Sequence, residues 1–240
     1  MTEGTRQRRV ARARELLRKY DEDDVKSMIF QDEKDFTLQV PQNPQNNRVN
    51  AVGNKRDVDS RRLYHPSNRQ SVKLMVSALV SYRGVSEPFF VDPQKTKITA
   101  AVYRDHLEND LLPSCRQMFD GRDEFVFVQD GAPSHTSNLV QGYLHDQLGE
   151  KFVTKTQWPP QSPDANPLDY HFWNAVKEKV YEDRRGQPFG TLQELQERIV
   201  EVWNEAVGDG AVIRKAVAQF RPRLQAIVRR DGHSIKADFD

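Results

Sequence analysis

The pattern of apolar and polar positions in the first half of the chain predicts β-strands. Residues 27–33 form an apolar run that ends in carboxylates, and residues 36–40 alternate with a period of two, so we predict two successive strands. Residues 72–82 alternate in the same way, and residues 85–91 follow an Arg-Gly turn as the predicted hairpin partner of that strand. Residues 41–54 are rich in Pro, Gln and Asn and are predicted to form a loop.

The middle of the chain alternates between helical spacing and short apolar runs. Residues 96–119 carry apolar side chains at helical spacing, interrupted near Pro113. Residues 125–128 form a continuous apolar run, which is typical of a strand covered on both faces, and a helix ending near Leu148 follows. Residues 151–156 are predicted to form one more short strand.

Three helices are predicted to close the chain. The first runs from Pro167 to about Asp183, and the second begins at Thr191, which has capping-box spacing to Glu194. The third spans about 211–229 and contains a proline that is expected to kink or break it. The order of strands and helices indicates an α/β protein in which parallel strands are added to an antiparallel meander.

Charge and composition narrow the choice of partners only slightly. The 240 residues carry a formal net charge of +1, but basic residues cluster at 1–20, 54–73 and 211–230. Such clusters suit a polyanion, although a solvated helix face is the commoner explanation for any one of them. The Arg-rich stretch 6–9 is of the kind that contacts DNA or directs nuclear import, and we predict a nuclear protein.

Cysteine content and hydropathy exclude several classes of protein. The single Cys115 excludes an intrachain disulfide and a zinc site built on several thiolates. No apolar run approaches the roughly 20 residues that span a bilayer, and the N-terminus lacks the apolar core of a secretory signal. We therefore expect a soluble intracellular protein with no membrane partner. We also expect no small-molecule cofactor.

Three aspartates are the candidate catalytic residues. Asp32 and Asp130 each follow an apolar strand, and such ends lie side by side when the strands are parallel neighbours. Asn166 and Pro167 are typical of a helix start, which places Asp169 in the first helical turn, against the same edge of the sheet. The alternative is that each aspartate only caps a helix or forms a turn, and that Asp169 only interacts with the helix dipole.

Three neighbouring carboxylates would hold protons unless cations neutralised them. Ligand sets made only of oxygen suit Mg²⁺ or Mn²⁺. Two such ions, about 3.5–4 Å apart, would stabilise both the attacking and the leaving oxygen of a phosphodiester displacement. The sequence therefore suggests a two-ion centre held by the three aspartates.

Two longer segments resemble the signature motifs of mariner-type transposases. They are residues 129–135 (QDGAPSH) and residues 162–170 (SPDANPLDY), in the order that the family shows. Residues 30–34 (FQDEK) resemble the first catalytic strand of the family, and the similarity extends from about residue 26 to the C-terminus.

The resemblance implies a ribonuclease-H-like core, with a mixed five-stranded sheet flanked by helices and followed by C-terminal helices. Residues 26–240 would form this catalytic domain, and residues 1–25 a basic linker or arm. Asp32, Asp130 and Asp169 match the Asp/Asp/Asp triad of the family, which implies two Mg²⁺ ions, with Mn²⁺ able to replace them. Such enzymes act as dimers, cut DNA at transposon ends and join the freed 3′-hydroxyl to target DNA.

Three departures from the family leave other functions open. The 38 residues between Asp130 and Asp169 exceed the usual mariner spacing, and the lead-in to Asp169 is closer to a sister group that ends in Glu. The paired helix-turn-helix modules that recognise transposon ends do not precede the core in this sequence. The alternatives are a catalytically silent, host-adopted DNA-binding remnant and a plain DNA endonuclease.

Five further residues have competing interpretations. Asp164 is expected to form a turn, Glu33 to point away from the metals because neighbouring strand residues face opposite sides, and His135 to cap the helix that follows it. Trp158 suits either stacking on an unpaired base or anchoring a loop to the core. Trp173 lies on an apolar helix stripe and is expected in the core.

Overall fold

A computed structural model describes residues 1–41, 72–91, 98–184, 186–207 and 209–239. The predicted loop at 41–54 and the basic cluster at 54–73 lie outside the described residues, apart from positions 41, 72 and 73. No helix in the described ranges is long and apolar enough to cross a membrane.

The described strands form one mixed sheet of five strands with the order β3-β2-β1-β5, in which β4 also pairs with β2. β1 and β2 are antiparallel from the pair Ile29–Ser81 to the pair Thr37–Lys73, and β1 and β5 are parallel up to the pair Phe30–Val128. The predicted α/β architecture and the parallel addition to an antiparallel meander are confirmed. The strands are β1 (Met28–Thr37), β2 (Lys73–Ser81), β3 (Gly84–Val85), β4 (Phe89–Val91) and β5 (Val126–Val128).

Three of the predicted strands are wrong in extent. The strands predicted at 27–33 and 36–40 are one continuous strand, β1, because β2 pairs with it along nearly its whole length and keeps the polar middle in the ladder. The strand predicted at 151–156 reduces to a single bridge between Phe152 and Phe127. The Phe127 amide donates to the carbonyl oxygen of Lys151, and the Phe127 carbonyl oxygen accepts from the Val153 amide.

Helices cover both faces of the sheet. The helix predicted over 96–119 is, from residue 100, two α-helices joined by a π-helical turn at Leu107–Leu111. The third closing helix breaks at Gln219, and Pro222 falls in the first turn of the next helix, where its missing N–H costs nothing. The helices are α1 (Glu3–Lys19), α2 (Glu22–Lys26), α3 (Ala100–His106), α4 (Leu112–Met118), α5 (Asn138–Leu148), α6 (Trp173–Tyr181), α7 (Leu192–Val207), α8 (Gly210–Ala218) and α9 (Phe220–Arg229).

The sheet separates two hydrophobic cores, and alternate side chains of β1 point into one or the other. Ile29 faces a core built with α3, α4 and α5, whereas Phe30 and Phe36 face a larger core built with α1 and the C-terminal helices. Trp173 lies fully buried in the larger core, as the sequence predicts. Gln31 and Glu33 therefore share the side of Ile29, and Asp32 shares the side of Phe30.

Gly232, in the C-terminal segment, packs closely against the backbone of the N-terminal helix α1. It follows α9 with a φ of +75°, and a Cβ atom at this position would lie 2.6 Å from the carbonyl oxygen of Arg6 in α1. We expect Gly232→Ala to lower the free energy of unfolding by about 1–3 kcal/mol, because the substitution combines an unfavourable backbone conformation with a backbone clash. Urea denaturation would measure the loss. The control is Gly142→Ala within α5, which meets no atom within 4 Å and should stabilise the protein by about 0.5–1 kcal/mol.

Candidate active site

The parallel register of β1 and β5 brings two of the three aspartates onto neighbouring strands. Phe30 of β1 pairs with Val128 of β5, and an aspartate lies two residues after each of them, Asp32 after Phe30 and Asp130 after Val128. Asp130 follows the end of β5, as predicted, whereas Asp32 lies in the middle of β1 rather than at its end. The carboxylates therefore extend from adjacent strands at the edge where the parallel pairing stops.

Asp169 reaches this edge from a π-helical turn, Leu168–Phe172, that leads directly into α6. The side chain of Asn166 accepts a hydrogen bond from the Leu168 amide at 3.1 Å and donates one to the carbonyl oxygen of Gln31 in β1 at 3.2 Å. The helix thus begins where the sequence predicts, although its first turn is π-helical rather than α-helical. The second bond of Asn166 fastens that turn to the strand that carries Asp32.

Asp32 lies close enough to Asp169 for the two carboxyls to influence each other's charge. Asp32 is 7% exposed and accepts a 2.7 Å hydrogen bond from Trp173 Nε1 at Oδ2. Burial, followed by the negative charges of Asp169 and Glu33, raises the pKa of Asp32 well above its ordinary value. Burial also raises the pKa of Asp169, against the opposing effect of Lys34, whose Nζ lies 3.8 Å from Asp169 Oδ1. The pair therefore holds negative charge at a cost that a cation would remove.

Asp130 has a different environment. His135 Nδ1 lies 2.6 Å from Asp130 Oδ1, and the Ala132 amide donates to the same oxygen at 2.9 Å. Burial alone would raise the pKa of Asp130, but the hydrogen bond and positive charge of His135 outweigh it and lower this pKa. Burial alone would lower the pKa of His135, yet the charges and hydrogen bonds of Glu33 and Asp130 raise it to about 10. Asp130 is thus the carboxylate of the three that stays ionised most readily.

The donor chemistry of the three carboxylates fits a hard divalent cation. Each carboxylate has one oxygen next to a protein donor: Trp173 for Asp32, His135 for Asp130 and Lys34 for Asp169. The described residues contain no three His, Cys, Asp or Glu side chains already grouped tightly enough to hold a metal ion. A cation would therefore have to draw the carboxylates together, and the oxygen ligands favour Mg²⁺ or Mn²⁺ over softer metals.

A groove of about 440 Å³ opens beside these carboxylates. Asp130 and Asp169 line it, together with Arg12, Lys155 and Trp158. The two basic residues of the groove add positive charge beside the carboxylates. Such a combination suits a phosphodiester whose charge is neutralised on one side by cations and on the other by side chains.

Helix α1 fastens the loop that leads to Asp169. Arg9, which is 1% exposed, donates through Nη2 to both carboxylate oxygens of Asp164 at 2.8 and 2.7 Å, and through Nη1 to the carbonyl oxygen of Gln161. Arg12 donates to the carbonyl oxygen of Trp158 at 2.8 Å. The predicted turn at Asp164 is confirmed as a 3-10 turn. The hypothesis that the stretch 6–9 contacts DNA fails for Arg9, because this side chain is buried against the loop.

The other weighed residues have clear outcomes. Glu33 lies on the opposite side of β1 from Asp32, as expected, but it approaches His135 Nε2 at 3.3 Å. The prediction that His135 caps the next helix is wrong, because Ser137 caps α5. Trp158 is 3% exposed and stacks on Phe220, which supports the loop anchor and leaves little of the ring exposed for stacking on a base.

Sequence reasoning missed the partners of the carboxylates. Lys34 follows Asp32 by two residues, and the period of a strand could have placed both on one side. A buried Trp173 needs an acceptor for its indole N–H, so the hydrogen bond to Asp32 had a detectable signal. The contact of His135 with Asp130 had no signal in the sequence, because it depends on the path of the loop between them.

Comparison with known proteins gives one consistent family. A family model described as DDE superfamily endonuclease matches residues 27–196. The Tc3 transposase of Caenorhabditis elegans is 29% identical over 140 residues, covering 58% of this chain and 39% of that protein. The Tcb2 transposase of Caenorhabditis briggsae is 35% identical over 135 residues, covering 56% of this chain and 45% of that protein. The chain thus spans less than half the length of these curated relatives.

Solved structures agree on the fold. The catalytic domain of Mos1 mariner transposase has a TM-score of 0.71 at 22% identity, covering 98% of this chain and 97% of that chain. A Mos1 transposase paired-end complex with the left transposon end has a TM-score of 0.74 at 23% identity, covering 97% of this chain and 63% of that chain. The ribonuclease-H-like fold expected from the resemblance is confirmed by these matches.

Proposed function

The chain belongs to the DDE superfamily of endonucleases, and from this premise we propose that it is the catalytic core of a mariner-type DNA transposase. It cuts phosphodiesters at transposon ends and joins the freed 3′-hydroxyl to target DNA. The observation that carries the proposal is the convergence of the three aspartates at one edge of the sheet: the parallel register of β1 and β5 places Asp32 beside Asp130, and Asn166 fastens the turn that carries Asp169 to β1. Cation binding gives this costly arrangement of charge a physical reason.

We assign Asp32, Asp130 and Asp169 as the residues that hold the divalent cations, two Mg²⁺ ions or two Mn²⁺ ions in their place. The Mos1 catalytic domain has been solved with Mn and with Mg, which supports this choice. When bound, the ions supply neutralisation of the phosphodiester charge and polarisation of its oxygens.

The protein's own residues orient and charge the site. Trp173 binds one oxygen of Asp32 and His135 binds one oxygen of Asp130, so each of these carboxylates is already held at one oxygen before a cation arrives. The basic groove residues Arg12 and Lys155 hold the DNA strand through its phosphates. The proposal extends to a homodimer on transposon-end and target DNA and to a nuclear location. Mos1 structures in complex with transposon ends support the DNA partner.

A strand-joining assay tests this function. The purified chain would be incubated with Mn²⁺, a labelled oligonucleotide that ends in a 3′-hydroxyl, and supercoiled target plasmid. We expect labelled, nicked plasmid, and no label transfer from an oligonucleotide that ends in a 2′,3′-dideoxynucleotide. Nicking without label transfer would favour the plain endonuclease, and DNA binding with neither product would favour the silent remnant.

Lys155 gives a prediction about DNA affinity. Its side chain is exposed and lines the groove, held by Asn138 Oδ1 at 2.8 Å. Lys155→Ala should make the negative slope of log affinity against log salt shallower by about 0.9. This corresponds to about an eightfold loss of DNA affinity at 0.1 M salt. Fluorescence anisotropy with duplex DNA at several salt concentrations would measure it.

Lys151→Ala is the matched control for this prediction. Lys151 is also exposed and lies four residues earlier, but it donates to the carbonyl oxygen of Asp123, which does not line the groove. An equal loss of affinity in both variants would mean that the groove does not select the DNA path.

A further inference from the structure

His135 is buried between two carboxylates. Its side chain is 1% exposed, with Nδ1 at 2.6 Å from Asp130 Oδ1 and Nε2 at 3.3 Å from Glu33 Oε1. A histidine donates from both ring nitrogens only when it is doubly protonated, and here both nitrogens face acceptors. The ring therefore bridges Asp130 to a carboxylate on the other side of β1.

The back of this bridge is built from buried polar side chains. The Tyr103 ring packs on the imidazole at 4.0 Å between centroids, and its hydroxyl lies 3.0 Å from Gln31 Oε1 and 2.8 Å from Gln129 Oε1. Gln31 Nε2 donates to Glu33 Oε1 at 2.7 Å, and Gln129 Nε2 donates to the carbonyl oxygen of His135 at 3.2 Å. Tyr103, Gln31 and Gln129 are at most 2% exposed.

Such a network is costly in a protein core. Burying an ion pair is often no better for stability than packing apolar side chains of the same volume, so stability alone does not account for it. The network holds the imidazole in one orientation, and the imidazole holds a single oxygen of Asp130. In the described part of the chain, every hydrogen bond to the Asp130 carboxylate goes to Oδ1.

We propose that His135, held in place by Glu33 and Tyr103, is a positioning residue that sets the orientation of the Asp130 carboxylate for a divalent cation. The proposal rests on the assignment of Asp130 as a cation ligand in the proposed function. Outer partners of this kind orient the ligands that bind the metal, and their loss typically weakens metal binding by about 10- to 100-fold.

The test measures Mn²⁺ binding directly, by electron paramagnetic resonance of free Mn²⁺, without DNA. We expect His135→Ala to raise the Mn²⁺ dissociation constant by about 10- to 100-fold. His135→Asn should stay within about threefold of wild type, because its amide can donate near the position of Nδ1. Leu144→Ala, at a buried apolar residue in the same core as Tyr103, controls for loss of stability and should leave Mn²⁺ binding unchanged.

The possible outcomes separate the positioning role of His135 from the metal part of the proposed function. If His135→Ala binds Mn²⁺ as tightly as wild type, the positioning role is wrong. If Leu144→Ala weakens binding as much as His135→Ala, general destabilisation explains the effect and the proposal is overturned. If the wild-type protein binds no Mn²⁺, the metal part of the proposed function fails and takes this inference with it.

Discussion

Asp32→Asn is expected to abolish DNA nicking and at the same time to make the folded protein more stable. Loss of one cation ligand removes several kcal/mol of transition-state stabilisation, and about 4 kcal/mol corresponds to roughly a thousandfold lower rate. Stability should rise because the wild-type carboxyl is buried beside Asp169, which raises its pKa and makes its charge unfavourable. The new amide oxygen can still accept from Trp173, so the buried indole N–H keeps its partner.

Two measurements check this prediction together. Conversion of supercoiled plasmid with Mn²⁺ would give the nicking rate, and thermal unfolding in EDTA would give the stability. Asp35→Asn makes the same change on the same strand at an exposed residue paired with Lys73, and should keep wild-type activity. Asp130→Asn and Asp169→Asn should lose nicking as fully as Asp32→Asn. Nicking that survives in all three variants would remove these aspartates from the mechanism.

The sequence could locate the carboxylates because local patterns place them. The apolar run before Asp130 predicts a buried strand, and the Asn-Pro pair before Asp169 predicts a helix start; both are present. The length of β1 could not be predicted from its own residues. Its polar middle interrupts the apolar pattern because those side chains face the site and the network around His135, while the backbone ladder with β2 continues through them.

The residues that hold the site in place could not be read from local sequence. His135 reaches Asp130 across a loop whose path depends on tertiary packing, and the capping pattern nearby is satisfied by Ser137 instead. Arg9 and Asp164 are 155 positions apart, and an Arg-rich helix is also typical of a DNA-contacting surface. Contacts between distant segments decide which basic residues face solvent and which are buried, and local periodicity contains no information about them.

Arg9→Met is expected to lower the free energy of unfolding by about 3–5 kcal/mol, because it leaves the largely buried Asp164 carboxylate without the guanidinium that pairs with it. For a chain of this length, that corresponds to a fall in Tm of roughly 6–20 °C. The loss should also affect the site, since Arg9 binds Gln161 and Asp164, and that loop leads directly to Asp169. Thermal unfolding and Mn²⁺-dependent nicking below the Tm of the variant would measure both effects.

Arg8→Met is the matched control, because Arg8 is the neighbouring arginine of α1 and is exposed to solvent. It should change stability by less than about 0.5 kcal/mol. Combining Arg9→Met with Asp164→Asn should recover part of the lost stability, because the unpaired charge is then gone. The coupling between the two residues follows when Asp164→Asn alone is measured as well. Equal stability of Arg9→Met and Arg8→Met would show that α1 does not fasten the loop through this ion pair. The positions of Asp169 and of the groove would then depend on the packing of the loop against Phe220 and the larger core, and on the hydrogen bonds of Asn166 and Arg12.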